Sequence, residues 1–416
     1  MIYHNLKIID TLLDSRGVAK KDKITIFVDN AIIGEVVDAE ITKSKKNYLE
    51  AKKVKTIKES PFYRKPPCPY FYECGGCSIM NLNYKKQLDL KKKLIINQLN
   101  KIAKIDIENL EIKPTYEFSY RNKISLKIDK NSKLSYYHQK THKYVNIDDC
   151  LLATDYIRTN LPIIQSYITC LYKNGIKADE LVIRSNDKDI LLIVKIKNIK
   201  HVDIKLMTKL AKEYDFNIVL SDKRKDIIIK GKDYIYMIYK DKKYKISCNS
   251  FYQVNKFQLV NLYDKAHSCI KKDDILLDLY CGVGSSTISL KDDNIIGVEI
   301  NKKAIKDAIF NVKINNIENY KFIADDSKNI DNKLIEKINP TIISVDPPRG
   351  GLDNKLIDSI KTSKVDRLIY ISCNPSTLAR DLRSFKESFY IYDIEAFDMF
   401  AQTMHVETFV YLKRKR

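Results

Sequence analysis

The stretch YISCNPSTLARDL, residues 370–382, decides how the rest of the chain is organised. It continues a short apolar run, residues 368–371, that is typical of a buried parallel strand. Cys373 follows this run, and an Asn-Pro pair then interrupts the chain before Ser376, which can cap a helix. The carboxyl ends of strands in an open α/β sheet border the ligand crevice, so Cys373 is a candidate catalytic thiol. A buried structural cysteine is the alternative when this residue is taken alone.

The last third of the chain, from about residue 241, alternates apolar runs with helical segments. The runs predicted to be strands are residues 275–280, 295–299, 320–324, 341–346 and 367–372. This alternation predicts an α/β fold with a mostly parallel, doubly wound sheet. Two further strands, near residues 388–397 and 406–412, are predicted to close the sheet as a hairpin.

Polar groups follow four of these predicted strands. The first strand ends in DLYCGVGSS, residues 278–286, whose two glycines would permit a tight turn and a close approach to a nucleoside ligand. Thr287 stands where a dinucleotide motif has its third glycine, which argues against NAD. Glu299 ends the second strand, where a carboxylate can hold both ribose hydroxyls. Asp346 ends the fourth strand in VDPPRGG, and Cys373 ends the fifth.

This predicted pocket fits S-adenosylmethionine, because it offers space for a nucleoside and an acidic neighbourhood for a cationic sulfonium. Uracil C5 is a poor nucleophile, but a thiolate added at C6 makes C5 enolate-like, so that it can take a methyl group. A base must then remove the C5 proton before the thiol can leave. Glu407, in QTMHVETF at residues 402–409, is the candidate base. His405 is its rival, since strand alternation places both side chains on one face.

Composition and charge point to a globular partner of nucleic acid. The chain has 416 residues, is 44% hydrophobic and 31% charged, and carries a formal net charge of +21 from lysines spread along its length. A Lys-, Ile- and Asn-rich compositional bias is the alternative explanation for this charge. No apolar run is long enough to span a membrane, and the first residues have no signal-peptide layout. We therefore expect a cytoplasmic monomer that does not bind membranes.

A compact cysteine group is the second chemical signal. Cys68, Cys74 and Cys77 lie in CPYFYECGGC, and Cys150 is the candidate for a fourth ligand. Thiolates at this spacing bind zinc or an iron–sulfur cluster, and the spacing does not decide between the two. The total of nine cysteines is odd, which argues against a disulfide framework in a chain without a secretion signal. Uncoordinated cysteines are the alternative.

The first two thirds of the chain carry weaker signals for RNA binding. Short strands with basic faces, predicted at residues 23–28, 35–43 and 48–57, suggest a small barrel of the kind that binds oligonucleotides. A Lys-rich helix is predicted at residues 83–102. In SYRNKISLKI, residues 119–128, Arg121 and Lys123 beside Tyr120 could meet RNA phosphates and bases, or could form a solvated strand face.

Together these motifs resemble the family of S-adenosylmethionine-dependent RNA (uracil-5-)-methyltransferases, and most of all its bacterial 23S ribosomal RNA branch. The N-terminal strands resemble a TRAM domain, and CPYFYECGGC with Cys150 resembles the family's [4Fe-4S] site. FYQVN, residues 251–255, matches the segment whose glutamine binds the cofactor, which implies Gln253. The other motifs imply three more cofactor residues, a nucleophile and a base, namely Tyr280, Glu299, Asp346, Cys373 and Glu407.

The resemblance implies three domains: a TRAM-like barrel over residues 1–58, a central α+β iron–sulfur domain over 59–240 and a Rossmann-like methyltransferase domain over 241–416. It implies methylation of uridine C5 in 23S ribosomal RNA, with sulfur and carboxylate reaching opposite sides of a flipped base. The tRNA branch usually lacks the barrel and the cysteine cluster, which favours ribosomal RNA. A tRNA methyltransferase, a cytosine-5 methyltransferase and a non-catalytic RNA-binding assembly factor are the alternatives.

Overall fold

Short strands form a six-stranded sheet at the N-terminal end of the computed structural model, which describes residues 1–139 and 141–416. The strands are β1 (Ile2–Lys7), β2 (Asp10–Thr11), β3 (Gly17–Lys21), β4 (Ile24–Asp29), β5 (Val36–Ser44) and β6 (Tyr48–Lys58). Their order in the sheet is β1-β5-β6-β4-β3-β2. Alternate residues such as Ile26, Val28 and Val37 point inwards and fill a small core. The predicted strand-rich N-terminal unit is therefore present.

A Lys-rich helix connects this unit to the rest of the chain. α1 (Tyr84–Gln98) begins after Asn83, whose side chain accepts a hydrogen bond from the Lys86 backbone N–H at 2.9 Å, and it continues as a π-helical turn at Leu99–Ala103. The following β7 (Glu111–Lys113) pairs with the C-terminal sheet. The residues of β7, which the sequence assigned to the central domain, therefore form part of the C-terminal sheet. The domain boundaries themselves stay predictions.

The central sheet has seven strands in the order β10-β9-β8-β11-β12-β13-β14. Its elements are β8 (Lys123–Ile128), β9 (Leu134–Tyr137), β10 (Tyr144–Asn146), α2 (Asp155–Lys173), β11 (Glu180–Ser185), β12 (Ile190–Lys195), α3 (Ile204–Ala211), β13 (Asn217–Ser221) and β14 (Asp226–Lys230). A separate hairpin of β15 (Tyr234–Tyr239) and β16 (Lys242–Ser247) follows. No helix of the described residues is long and apolar enough to cross a membrane.

The C-terminal sheet has eight strands in the order β19-β18-β17-β20-β21-β23-β22-β7. Its further elements are α4 (Lys256–His267), β17 (Leu276–Leu279), α5 (Ser285–Leu290), β18 (Ile295–Glu299), α6 (Lys302–Ile314), β19 (Tyr320–Ala324), α7 (Asn332–Ile338), β20 (Ile342–Val345), α8 (Asn354–Thr362), β21 (Arg367–Ser372), α9 (Pro375–Phe385), β22 (Phe389–Phe397) and β23 (Glu407–Arg414). The strands β17 to β21 are parallel, while β23 runs antiparallel between β21 and β22. The predicted Rossmann-like methyltransferase sheet is confirmed.

Both faces of this sheet are covered, which explains why its strands are continuous apolar runs. Leu276 and Ile342 pack into the core on one face, and their neighbours Leu277 and Ile343 pack into the core on the other. The chain first adds β18 and β19 on one side of β17 and then continues with β20 on the other side, so the strand order reverses between β17 and β20. A crevice opens at such a switch point beyond the carboxyl ends of the strands, and the site residues lie there.

Candidate active site

Cys373 lies where the backbone leaves β21 and turns into α9. Asn374 caps this helix, since its side chain accepts a hydrogen bond from the Ser376 N–H at 3.1 Å and Pro375 occupies the first turn. The prediction of Ser376 as the cap is wrong, because the helix already starts at Pro375. The Asn374 side chain also donates to the carbonyl oxygen of Arg349 at 3.0 Å. It therefore fastens the VDPPRGG loop beside the thiol.

Glu407, the first residue of β23, lies next to the same loop. β21 and β23 pair with Ser372 opposite Thr408. Cys373 directly follows Ser372 and Glu407 directly precedes Thr408, so the two residues lie beside one another where this strand pair ends, and Glu407 adds to the raised pKa of the thiol. Glu407 is 4% exposed, and its Oε2 has no hydrogen-bond partner among the described residues.

The groups around Cys373 and Glu407 shift the pKa values of these two residues in opposite directions. Burial raises the pKa of Glu407 well above its ordinary value, and the neighbouring Asp346 adds to this effect. Burial also raises the pKa of the Cys373 thiol to about 11, again with help from Glu407 and Asp346. The guanidinium of Arg349 acts in the opposite direction on both groups, because it favours their charged forms. The site thus holds a neutral thiol, two buried carboxyl groups and a cation that favours the ionised forms of Cys373 and Glu407.

His405, the rival base, lies in the loop before β23. The expectation that it shares a strand face with Glu407 is wrong, because the strand begins only at Glu407. Arg349 Nη2 lies 3.2 Å from His405 Nε2, and guanidinium groups only donate, so the imidazole accepts through this nitrogen. Burial, followed by Arg349, lowers the pKa of His405 to about 4. The ring is neutral and its acceptor nitrogen is engaged, so Glu407 is the better placed base.

Glu299 organises the turn that follows β17. Its Oε2 accepts a hydrogen bond from the Gly282 N–H at 3.2 Å, and its Oε1 accepts one from the Asn301 N–H at 2.7 Å. Gly284 has φ +77°, and a Cβ there would lie 3.3 Å from the Ala308 Cβ, so this position needs a glycine. Each oxygen of Glu299 keeps a second lone pair, which leaves the carboxylate able to accept hydrogen bonds from ribose hydroxyls.

A buried acid that no sequence pattern singled out lies beside Asp346. Asp278 in β17 accepts hydrogen bonds from Thr287 Oγ1 at 2.5 Å and from Ser286 Oγ at 3.1 Å. Burial raises the pKa of Asp278 to about 6, and burial with repulsion from Asp278 raises the pKa of Asp346 to about 7. A cationic ligand would relieve this repulsion. The sequence signal that could have identified Asp278 is its position two residues before Tyr280, in the motif DLYCGVGSS.

Tyr280 and Gln253, the other two predicted cofactor residues, lie on loops of the C-terminal domain. Tyr280 follows β17 with φ +73°, a left-handed conformation that non-glycine residues rarely adopt. Such outliers concentrate at functional sites, which is consistent with a role at the ligand. Gln253 is buried between β16 and α4, and its carbonyl oxygen accepts a hydrogen bond from Asn122 Nδ2 at 3.1 Å. The cofactor roles of both residues stay predictions.

The four predicted cysteine ligands line one cavity. Cys68, Cys74 and Cys77 come from the loop before α1, and Cys150 comes from the loop before α2. All four are free thiols, and burial raises the pKa of Cys74 to about 11. Among residues 1–139 and 141–416, no three His, Cys, Asp or Glu side chains are arranged to hold one metal ion. The cysteines are therefore neighbours, but not in the arrangement of a mononuclear site.

The possible RNA contact of residues 119–128 is not supported by the structure. Tyr120 is fully buried and donates a hydrogen bond to the Ala401 carbonyl oxygen at 2.9 Å, so its ring is not available to stack on a base. Arg121 lines the cysteine cavity. Lys123 is half-buried, and burial lowers the pKa of its amine to about 8. Residue alternation shows which side chains share a face, but not what covers that face.

Sequence comparisons bear on the same residues. The sequence model described as tRNA (uracil-5-)-methyltransferase matches residues 83–415, and the TRAM domain model matches residues 11–54. An uncharacterized RNA methyltransferase of Aquifex aeolicus is 34% identical over 417 residues, which cover 96% of this chain and 96% of its own. Another from Clostridium tetani is 31% identical over 98% of this chain and 95% of its own.

A solved structure extends the similarity to the whole fold. The tRNA (uracil-54, C5)-methyltransferase of Pyrococcus abyssi, in complex with S-adenosyl-L-homocysteine, superposes with a TM-score of 0.78 at 26% identity. The superposition covers 99% of this chain and 100% of the other. It therefore includes the N-terminal sheet and the cysteine segment as well as the C-terminal sheet.

Proposed function

Since the chain belongs to the family of S-adenosylmethionine-dependent RNA (uracil-5-)-methyltransferases, we propose that it methylates C5 of one uridine in 23S ribosomal RNA in the cytoplasm. Membership makes the chain an enzyme, so the alternative of a non-catalytic assembly factor is set aside. The observation that carries the proposal is the pairing of Cys373 with Glu407 at the carboxyl end of the sheet. A binding module would need neither group.

The first step is attack by Cys373 on the uracil ring of a flipped nucleotide. The sulfur–C6 bond forms, and the electrons of the C5–C6 double bond move towards the C4 carbonyl oxygen. Because the pKa of the thiol is raised to about 11, it must lose its proton to water before it attacks, which leaves Glu407 unprotonated for the later removal of the C5 proton. Arg349, whose charge favours the ionised forms of both groups, stabilises the resulting negative charge.

The second step is methylation and loss of the C5 proton. S-adenosylmethionine would supply the methyl group: C5 would form a bond to the methyl carbon as the bond from that carbon to the sulfonium sulfur breaks, leaving S-adenosyl-L-homocysteine. Glu407 then removes the C5 proton, the C5–C6 double bond forms again, and the sulfur leaves as a thiolate. Cys373 and Glu407 lie beside one another at the end of the sheet, so we propose that both act on one side of the ring and that the methyl group arrives from the other. This revises the expectation of sulfur and carboxylate on opposite sides.

The carboxyl groups near the crevice support a cationic methyl donor. Burial, with repulsion from Glu299, raises the pKa of Asp278 to about 6, and burial with repulsion from Asp278 raises that of Asp346 to about 7. A sulfonium placed near them would favour their ionised forms and be attracted by them. Glu299 and Tyr280, at the ends of β18 and β17, would face the nucleoside part of the donor.

Ribosomal RNA and tRNA are both consistent with the fold. The motif resemblance to the bacterial 23S branch supports ribosomal RNA. The argument that the barrel and the cysteine segment exclude the tRNA branch is weakened, because the Pyrococcus abyssi tRNA methyltransferase superposes over both regions. tRNA is accordingly the second candidate substrate.

A direct assay separates the two substrates. Unmodified 23S ribosomal RNA and unmodified tRNA transcripts would each be incubated with the protein and a labelled methyl donor. We expect label in 23S RNA at one uridine, mapped as 5-methyluridine, and at least about 10³-fold less in tRNA, which is the lower end of typical discrimination between specific and non-specific nucleic-acid sites. Preferential labelling of tRNA would reassign the substrate while leaving the chemistry intact, and 5-methylcytidine would reassign the base.

We also propose that Cys68, Cys74, Cys77 and Cys150 hold a [4Fe-4S] cluster. Arg121 lines their cavity, and its Nε is buried without a hydrogen-bond partner among the described residues. A buried cation among thiols favours an anionic, thiolate-bound occupant. One zinc ion needs its thiolates close together, whereas each thiolate of a cluster binds a different iron and lies further from the others. A cluster therefore fits these residues better than zinc, and we expect it to support the fold and RNA positioning.

Iron analysis tests the cluster. Protein purified without oxygen is expected to contain about four iron atoms and four sulfides per chain, as a cubane cluster ligated by four thiolates requires. A Cys74→Ser variant should lose this iron. Cys170→Ser, a change in α2 outside the cavity, is the matched control and should retain it. Stoichiometric zinc in place of iron, or full iron content in Cys74→Ser, would contradict the assignment.

A further inference from the structure

The loop of residues 398–406, which leads from β22 into the strand of Glu407, is held by the cysteine-containing part of the chain. Gln402 is the centre of this contact. It is fully buried and has φ +69°, in the left-handed region. Its carbonyl oxygen accepts hydrogen bonds from the backbone N–H groups of Ser78 at 2.9 Å and Ile79 at 3.1 Å. These two residues directly follow Cys77, so the backbone after the cysteine group is joined to the loop before Glu407.

The side chain of Gln402 adds further links to the same part of the chain. Its Oε1 accepts hydrogen bonds from Arg64 Nη2 at 3.0 Å and from Gln87 Nε2 at 2.9 Å. Its Nε2 donates to Glu117 Oε2 at 3.0 Å, and its backbone N–H donates to Gln87 Oε1 at 3.1 Å. Every polar group of Gln402 is thereby satisfied. A non-glycine residue persists in a left-handed conformation only where its surroundings hold it there, and these contacts do so.

The residues before Gln402 are held from the same side. Lys91 of α1 and Asp398 are both fully buried and form an ion pair at 2.5 Å. The Lys91 ammonium also donates to the Phe400 carbonyl oxygen at 3.1 Å. Tyr120, which precedes an arginine of the cysteine cavity, donates to the Ala401 carbonyl oxygen at 2.9 Å. Residues 398, 400, 401 and 402 are therefore anchored through residues 64–120, while Met399 between them accepts a hydrogen bond from Asn255 Nδ2 at 3.1 Å.

We propose that Gln402 is a positioning residue through which the cysteine segment sets the location of Glu407, an inference that rests on Glu407 being the base proposed above. Glu407 follows Gln402 by five residues and has no hydrogen bond of its own at Oε2 among the described residues. Its position depends on the backbone that carries it. A displacement of about 1 Å at a reacting group costs about 10²-fold in rate. The cysteine site thus contributes to proton removal without any electron transfer.

Gln402→Gly tests this inference. Glycine adopts the left-handed backbone without strain, so the variant loses the side-chain contacts while its backbone is spared. RNA and methyl donor would be mixed in a single turnover, and the covalent RNA–protein complex would be followed on denaturing gels. We expect the methylated complex to form and then to decay about 10²-fold more slowly than in the unmodified protein. The dissociation constants for RNA and for S-adenosylmethionine should not change.

Two comparisons distinguish positioning from a loss of folding. Gln165→Ala removes a glutamine side chain of α2 that bonds Ser132 and Leu134, and its complex should decay at the normal rate. Gln87→Leu removes two of the Gln402 contacts from the α1 side and should reproduce the slow decay. A purely structural role would lower the active fraction and slow every step equally, without accumulating the complex, and that result would overturn the inference.

Hydrogen exchange provides a readout that does not depend on activity. Cys77→Ser should lose amide protection at Ser78 and Ile79, whose N–H groups donate to the Gln402 carbonyl oxygen, and at Gln402, whose own N–H donates to Gln87. Unchanged exchange there, or normal decay in Gln402→Gly, would overturn the link. Glu407→Gln is measured in parallel: if it traps the complex and Gln402→Gly does not, only this inference fails. If Glu407→Gln turns over normally, the proposed base is wrong and the inference falls with it.

Discussion

Cys373→Ala is expected to form no covalent complex with RNA that carries 5-fluorouridine at the target position, and to lose methylation by on the order of 10⁴-fold or more. The reason is that, among the described thiols, Cys373 is the one beside Glu407 at the end of β21. Fluorine at C5 cannot be removed as a proton, so the normal protein should stop at the methylated adduct. The measurement is the fraction of RNA that migrates with protein on a denaturing gel.

The pH dependence of this reaction has a defined sign. Burial raises the pKa of Cys373 to about 11, so its thiol is protonated at neutral pH and the thiolate fraction grows as the pH rises. Adduct formation by the normal protein should therefore accelerate between about pH 7 and pH 9. Cys373→Ala should remain without adduct throughout this range.

Cys269→Ala is the control for the loss of a thiol. Cys269 lies after α4, and its Sγ contacts the Lys265 carbonyl oxygen at 3.7 Å, outside the proposed site. This variant should form the adduct as the normal protein does. An adduct in Cys373→Ala, at any pH tested, would remove Cys373 from the mechanism.

Glu407→Gln is expected to carry out methyl transfer and then stall, with the RNA still attached to Cys373. Glutamine is close to glutamate in size but cannot accept the C5 proton, so the last step should slow by about 10²–10⁴-fold, the usual contribution of a positioned base. The measurement is single-turnover analysis with ordinary uridine and a labelled methyl group. Label should appear in a protein–RNA complex that withstands denaturation.

His405→Asn separates the two candidate bases. The imidazole accepts a hydrogen bond from Arg349 and has a pKa lowered to about 4. Its removal should therefore change the position of the Arg349 guanidinium but leave removal of the C5 proton in place. We expect this variant to release methylated RNA without a lasting complex. If His405→Asn instead trapped the RNA–protein complex and Glu407→Gln released methylated RNA normally, His405 would be the base and Glu407 would not.

Sequence patterns located most of the strands that build the site. The predicted strands 295–299, 320–324 and 367–372 coincide with β18, β19 and β21. For β21 the reason is an apolar run that is buried along its whole length and so has a clear beginning and end. The motifs at the ends of these strands predicted Glu299, Asp346 and Cys373 as site residues, since polar residues at strand ends in such a sheet face one crevice.

Contacts between distant segments were beyond the reach of these patterns. Asp278 lies in a predicted strand, and only its burial beside Asp346 shows that it belongs to the charged part of the crevice. The expected cap at Ser376 moved to Asn374, a difference of two residues at an element boundary. Tyr120 was a candidate RNA contact, but it is covered by the loop that contains Ala401. Each difference concerns what packs against a residue.

The sequence by itself determined the class of the sheet, the chemistry of the thiol and carboxyl groups and the grouping of the cysteines, because these depend on residue type and short spacing. Only the tertiary structure decided that Cys373 lies beside Glu407, that Arg349 engages His405, and that Gln402 joins the cysteine segment to the loop before Glu407. The physical reason is that register and long-range hydrogen bonds depend on how separate parts of the chain pack, and no local pattern records that packing.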